Sequence, residues 1–168
     1  LLFLVDVDIQ FSADVLDNIR SFTKLGEQVY FPIVFSLFKG ESDGYWRDFG
    51  YGIMSAYKAD IEKVNGFNTT IVGWGKEDVD LFDRFVSANM SIFRSPCPQL
   101  VHRYHEVTCA PDLSSPQAAA CRSSRANNYL PLSELVTRVL SSPCWTAGRL
   151  DGWMAGWLGG WMAGRLGG

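Results

Sequence analysis

The stretch LLFLVDVDIQF, residues 1–11, opens with five apolar residues and then sets two carboxylates, Asp6 and Asp8, around Val7. An uninterrupted apolar run reads as a strand buried on both faces, as in a parallel sheet. A carboxylate is costly to remove from water without a partner. The two acids therefore either reach solvent as the strand ends or meet a cation. Alternation along a strand turns them to the same side, and in open α/β sheets ligands gather at the carboxyl ends of the strands. One Asp-x-Asp is expected by chance in a chain of this composition, about one occurrence, and a second stands at Asp78-Val79-Asp80. Position separates them: the first follows a strand, whereas the second suits the positive end of a helix.

The strand–helix alternation continues outward from this opening. Ser12 is placed to cap a helix from Ala13 to about Lys24, with Val15, Leu16, Ile19 and Phe22 on one face and Gly26 as its stop. QVYFPIVFS, residues 28–36, reads as one strand, at an edge or bulged because Pro32 cannot donate to a ladder. GESDGYWRDFG, residues 40–50, reads as a polar loop. YGIMSAY is a third strand, and KADIEKV a short helix closed by Asn65-Gly66. GWGKEDVDLFDRFVSANM, residues 73–90, is a glycine-rich loop feeding a helix whose core stripe is Val79, Phe82, Phe85 and Val86. SIFRS and QLVHRYH close the pattern as late strands. The whole predicts an open α/β sheet.

After Cys121 the pattern decays. Residues 123–146 form an extension with room for one helix around LSELVTRVL, and residues 147–168 are a four-residue repeat with Gly second in each unit. That period fits neither helix nor strand, and the tail is expected to be disordered. The organisation expected is thus residues 1–122, 123–146 and 147–168.

The chain has 168 residues, 47% hydrophobic and 20% charged, which suits a globular domain with a real core. A net charge of −3 argues against nucleic acid as a partner. No run is long and apolar enough to span a bilayer. Leu1 already lies in a strand-like run, so the chain is expected to be the C-terminal piece of something longer or the product of an incomplete gene model. The sequons at Asn68 and Asn89 and the even number of cysteines, 4, point toward a secretory compartment.

Two further constellations carry chemistry. The chain's 2 histidines, His102 and His105, fall three apart in VHRYHEVTC. They read either as solvated imidazoles or as metal ligands joining Asp8, a donor set suited to Mn²⁺. Cys97, His102, His105 and Cys109 as a zinc site is the competing arrangement. In GWGKEDVD, Gly73 and Gly75 free the backbone around Trp74, and Glu77 and Asp78 land at a helix start. The bland reading is an acidic helix cap. The functional one is an indole platform for a sugar ring beside a carboxylate base.

FLVDVDIQFSADVLDNIR, YFPIVFS, GYWRDFGYGIMSAYKADIEKVNGF, GWGKEDVDLFDRF and LVHRYHEVTC occur in the order seen in the chondroitin synthase and chondroitin N-acetylgalactosaminyltransferase family. More distantly, the chain resembles the β-1,4-galactosyltransferases. The match covers residues 1 to about 121, and EDVDLF is more similar to the synthases. The resemblance implies a GT-A, Rossmann-like glycosyltransferase domain, incomplete at its N-terminus. It implies an enzyme that moves GalNAc from UDP-GalNAc to glucuronate-ended chondroitin with inversion, dependent on Mn²⁺. It also implies a Golgi lumenal, membrane-anchored setting and a partner subunit of the same family. The alternatives are a non-catalytic polymerising subunit or an inactive fragment.

Residue by residue, the resemblance makes Asp8, His105 and His102 the metal ligands. It puts Asp6 with Phe49, Gly50 and Gly52, on a glycine-containing strand, at the donor. Trp74, Glu77 and Asp78 fall at the acceptor, with Asp78, seconded by Glu77, as the catalytic base. It implies a disulfide between Cys109 and Cys121. Lys76 stands where that family commonly has glycine, which is expected to stiffen the loop.

Overall fold

The computed structural model describes residues 1–129, 131, 133, 134, 136 and 137. Within LSELVTRVL, Ser133, Glu134, Val136 and Thr137 are helical. The rest of that expected helix, Cys144 and the four-residue repeat lie outside the described residues.

The chain up to Pro131 holds two four-stranded mixed sheets. The first is ordered β1 (Leu2–Leu4), β6 (Met54–Ala56), β3 (Gln28–Tyr30), β7 (Ser91–Phe93). The second is ordered β2 (Ile9–Phe11), β8 (Pro96–His102), β4 (Ile33–Leu37), β5 (Gly44–Arg47). In each sheet one pair is parallel, β3 with β7 and β4 with β8, and the remaining pairs are antiparallel. The single open sheet expected from the sequence is therefore two.

Pro32 explains the division. Residues 28–36 are not one strand: Tyr30 ends β3, Ile33 begins β4, and the chain passes from one sheet to the other at Phe31 and Pro32. Proline removes the ladder donor and fixes its own backbone, so the strand breaks where it stands. Phe31, fully buried, fills the first core at the crossing. The opening run departs from expectation in the same way. β1 lies at a sheet edge, antiparallel to β6, with Leu1 and Leu2 more than a third exposed. Asp6 and Asp8 belong to a turn between β1 and β2, not to a strand, so alternation does not place them together.

Each sheet has its own core. Val29, Phe31, Met54, Ala56 and Val64 pack under α3 (Glu77–Ser87), which contributes Leu81 and Phe85. Full burial of such side chains contributes about 1.5–3 kcal/mol each. The helix stripe is thus Leu81, Phe82 and Phe85; Val79 and Val86, expected in it, face outward at 39% and 51% exposure. The second core joins Ile9, Val34, Ile53, Cys97 and Leu100 to Val15 and Ile19 of α1 (Val15–Phe22). Leu16 is exposed. Asp14, not Ser12, takes the N-cap of α1 without a side-chain bond, and the helix ends at Phe22, before the Gly26 turn.

Two elements were not foreseen. GYWR, read as loop, is β5, paired with β4 through Val34↔Arg47 to Leu37↔Gly44. A fourth helix, α4 (Ser115–Asn127), follows the short α2 (Lys58–Lys63) and α3 and runs past Cys121. A complete capping box starts it, Ser114 and Gln117 bonding reciprocally. Among the described residues no helix is long and apolar enough to cross a membrane.

Candidate functional site

Strand register brings the opening acids to the late imidazoles. Ile9 pairs with His102, and the Arg103 N–H donates to the Asp8 carbonyl at 3.0 Å. The Asp8 side chain thereby meets both histidines: its Oδ2 lies 3.4 Å from His102 Nε2 and 2.9 Å from His105 Nε2. One ligand atom from each of the three residues lies within 4.8 Å of the others. Octahedral bonds of about 2.1 Å would set neighbouring ligand atoms about 3 Å apart, so the spacing suits a divalent ion.

Two polar atoms of this cluster, Asp8 Oδ1 and His102 Nδ1, are buried without a hydrogen-bond partner. Buried polar groups are normally satisfied; a bound cation would satisfy Asp8 Oδ1, whereas His102 Nδ1 lies across the ring from the Nε2 that faces Asp8. Burial, followed by the charge of Arg47, pushes His102 down to about 4 despite the pull of Asp8. The imidazole is therefore neutral at physiological pH, the form that binds metals. His102 is buried and His105 exposed, so the cluster opens on one side to solvent. The competing zinc arrangement fails, because Cys109 is in a disulfide with Cys121 and Cys97 is buried, its thiol bonded to Gln99.

Asp6, two residues away, goes elsewhere. It lines a cleft of about 260 Å³ with Tyr51, Gly52, Phe67, Glu77 and Asp78. Desolvation there, followed by the neighbouring Asp8, pushes its carboxyl up from the ordinary range; Arg47 opposes and Asp78 adds to the rise. Charge links the two places: Asp8 raises the Asp6 carboxyl and His105 lowers it.

The N-terminus of α3 supplies Glu77 and Asp78. Lys76, at the N-cap, has φ 81°, a left-handed conformation natural to glycine and strained for lysine by roughly 1 kcal/mol. Asp78 Oδ2 accepts the Tyr51 N–H at 3.2 Å. Residues 49–52, expected as strand, form instead the loop between β5 and β6. Of these only Tyr51 and Gly52 reach the cleft; Phe49 is exposed and stacked on Tyr45, and Gly50 packs beneath Arg47, whose Cδ would lie 3.1 Å from an added Cβ.

Trp74 does not line the cleft. It is 42% exposed, in a loop whose Gly73 and Gly75 have φ 87° and 82°. Gln117 pins this loop, its Nε2 donating to the carbonyls of Val72 at 3.0 Å and Gly75 at 3.4 Å. The Cys109–Cys121 disulfide closes the segment that carries Gln117. At the first sequon, Asn68 Oδ1 accepts the Thr70 hydroxyl at 2.7 Å; at the second, Asn89 is exposed with φ 58°.

Several residues escaped the sequence reading. Phe67 and Leu81 line the cleft. Arg47 is tied by Nε to Ser36 and by an amino group to the buried Asn128, which Tyr45 also reaches. A single arginine, or an aromatic just past a turn, has no periodic signal that could have marked it.

Fold and site together define a mixed α/β domain in which a carboxylate–imidazole cation cluster stands beside an acidic cleft. The chain belongs to the chondroitin N-acetylgalactosaminyltransferase family, whose profile matches residues 1–135. It is 37% identical to chondroitin sulfate synthase 3 of Mus musculus, over 80% of this chain and 17% of that protein. It is 35% identical to chondroitin sulfate N-acetylgalactosaminyltransferase 2 of Mus musculus, over 80% of this chain and 29% of the relative. Chondroitin sulfate N-acetylgalactosaminyltransferase 1 of Homo sapiens is 34% identical over 76% of this chain and 28% of its own length. The chain thus spans less than a third of each of these relatives. No solved structure matches it.

Proposed function

We propose that this chain is part of a glycosyltransferase of GT-A type that moves GalNAc from UDP-GalNAc to a glucuronate-ended chondroitin chain, with inversion and with Mn²⁺. The observation that carries the reading is the meeting of Asp8, His102 and His105, from opposite ends of the domain sequence, within 4.8 Å. Family membership supports the transfer and the sugar class.

Asp8, His102 and His105 hold the divalent ion, a mixed oxygen and imidazole set that suits Mn²⁺. Such an ion supplies charge neutralisation for a departing diphosphate. Asp6 and Gly52 line the donor side. Asp78 takes the proton of the acceptor hydroxyl on its free Oδ1 while the Tyr51 N–H holds Oδ2. An acceptor oxygen activated on that side attacks the anomeric carbon opposite the leaving group, which inverts it. Glu77 lies beside Asp78 at the cleft, and the Trp74 indole offers an apolar face to a sugar ring. The setting is the Golgi lumen, with a second synthase subunit as partner. The disulfide supports an oxidising compartment.

The test is Mn²⁺-dependent transfer of GalNAc from UDP-GalNAc to a glucuronate-ended chondroitin oligosaccharide by the full-length protein. A β-linked product is expected. No product by itself, together with rescue of another subunit's polymerisation, would replace this reading with a polymerising role.

A further inference from the structure

Arg94 lies between β7 and β8, outside every motif that marked the site. Its guanidinium donates to the Asp48 carbonyl at 2.7 Å and, from both amino groups, to the Gly50 carbonyl at 3.2 Å. It also covers the Tyr51 ring, 4.4 Å from the ring centroid. The planar fork thus grips three of four consecutive residues, which a lysine could not do. On its other side the Tyr51 ring meets Phe82 of α3, centroids 4.1 Å apart. The Tyr51 N–H meets Asp78, one turn earlier on the same helix. The loop is therefore sandwiched between Arg94 and the helix face that carries the carboxylate.

We propose that Arg94 is a positioning residue for Asp78, acting through the backbone of residues 48–51. It touches neither Asp78 nor the cation cluster. It holds the loop whose single N–H fixes Asp78 Oδ2 and leaves the other oxygen to the acceptor. This deepens, and rests on, the reading of Asp78 as the base. Removing the guanidinium leaves two carbonyls without their partner and frees the Tyr51 ring, so the N–H moves off Asp78. Displacement on the scale of an ångström costs about 100-fold in rate when a reacting group must be aligned.

The experiment uses the full-length protein with Arg94→Met, Arg94→Lys, Asp78→Asn and the Arg94→Met/Asp78→Asn double variant. For Arg94→Met, kcat is expected to fall about 10- to 100-fold, with KM for UDP-GalNAc and Mn²⁺-dependent UDP affinity within about twofold of wild type. Arg94→Lys recovers part of the rate, since an ammonium can serve one carbonyl. In the Asp78→Asn background Arg94→Met adds little, because coupled residues are not additive. An equal fall in UDP affinity, or a full additional loss in the double variant, overturns the proposal. Hydrogen exchange at the Tyr51 amide decides the linkage without turnover. Faster exchange in Arg94→Met supports it, and unchanged exchange in Arg94→Met overturns it. Wild-type protein without transfer would sink the catalytic reading while leaving this exchange result to judge the linkage.

Discussion

The cation cluster and the acidic cleft stand side by side and are built on opposite principles. At the cluster, one carboxylate faces two imidazoles, and strand pairing holds them: Ile9 opposite His102 fixes the approach of Asp8. At the cleft, Asp6, Glu77 and Asp78 have the same sign; a turn carries Asp6 and the first turn of α3 carries the other two. The cluster sets one carboxylate against two imidazoles, with Asp8 Oδ1 and His102 Nδ1 unpartnered. In the cleft, burial first and then the charge of the neighbouring Asp8 raise the Asp6 carboxyl. Asp6 and Asp8, two residues apart in one short turn, serve the cleft and the cluster respectively.

Substitutions break the contrast most sharply at the cleft. Asp78→Asn keeps the shape but removes the proton acceptor. Transfer is expected to fall about 10²–10⁴-fold, with UDP binding retained; turnover near wild type would remove Asp78 as base. At the cluster the opposite signature is expected. Asp8→Asn weakens Mn²⁺-dependent UDP binding by more than about 100-fold, and calorimetry showing wild-type affinity would end the ligand assignment.

The Cys109–Cys121 bridge, spanning 12 positions, sharpens the comparison because it braces only the loop side. Cys109→Ser with Cys121→Ser should cost about 3 kcal/mol, or about 6–12 °C in Tm for a chain of this size. Metal affinity should stay unchanged. Equal losses at both places would show that the two regions are not separately held.

The smallest effect is in pH. His102 titrates near 6.5 when unfolded but near 4 in the fold. Between these values the unfolded chain binds the extra proton. The metal-free protein therefore has its full stability from this group above pH 6.5 and loses it as pH falls to about 4, by at most about 1.4 kcal/mol per pH unit. Asp6 acts with the opposite sign: its raised pKa opposes folding at neutral pH, and the penalty fades as pH falls through the folded value. In Tm measured against pH with chelator, His102→Gln should flatten the profile and Asp6→Asn should raise it near neutrality. Unchanged profiles in both would refute this division.

The cluster was legible in part because the chain has 2 histidines, set three apart, and because its motifs run in a familiar order; the Asp-x-Asp by itself was not rare. The disulfide, implied by the same resemblance, is also present. The pairing of Ile9 with His102 that unites the cluster was not legible, since register between strands so far apart depends on tertiary packing. The cleft was half legible. Glu77 and Asp78 announced themselves at a helix start, but Phe67 followed a turn with no pattern around it. Arg94 and Gln117 work on backbone carbonyls, which every residue has, so nothing in the residues they grip points back to them. At Pro32 the sequence offered an edge or bulged strand; the fold has a register shift between Ile33 and Phe35 and also a change of sheet, because local chemistry can forbid a ladder bond without saying where the chain goes next.

Val7, between the two acids, is fully exposed. Its side chain is free to drift over generations, but the one-residue spacing it provides is not. A residue inserted there would slide β2 by one step against β8 and turn the faces of that strand over. Asp8 would be carried away from both imidazoles, while Asp6, anchored through β1, would remain where it is. The motif's constraint is therefore one of length, and tolerance at its middle letter should coexist with intolerance to any insertion.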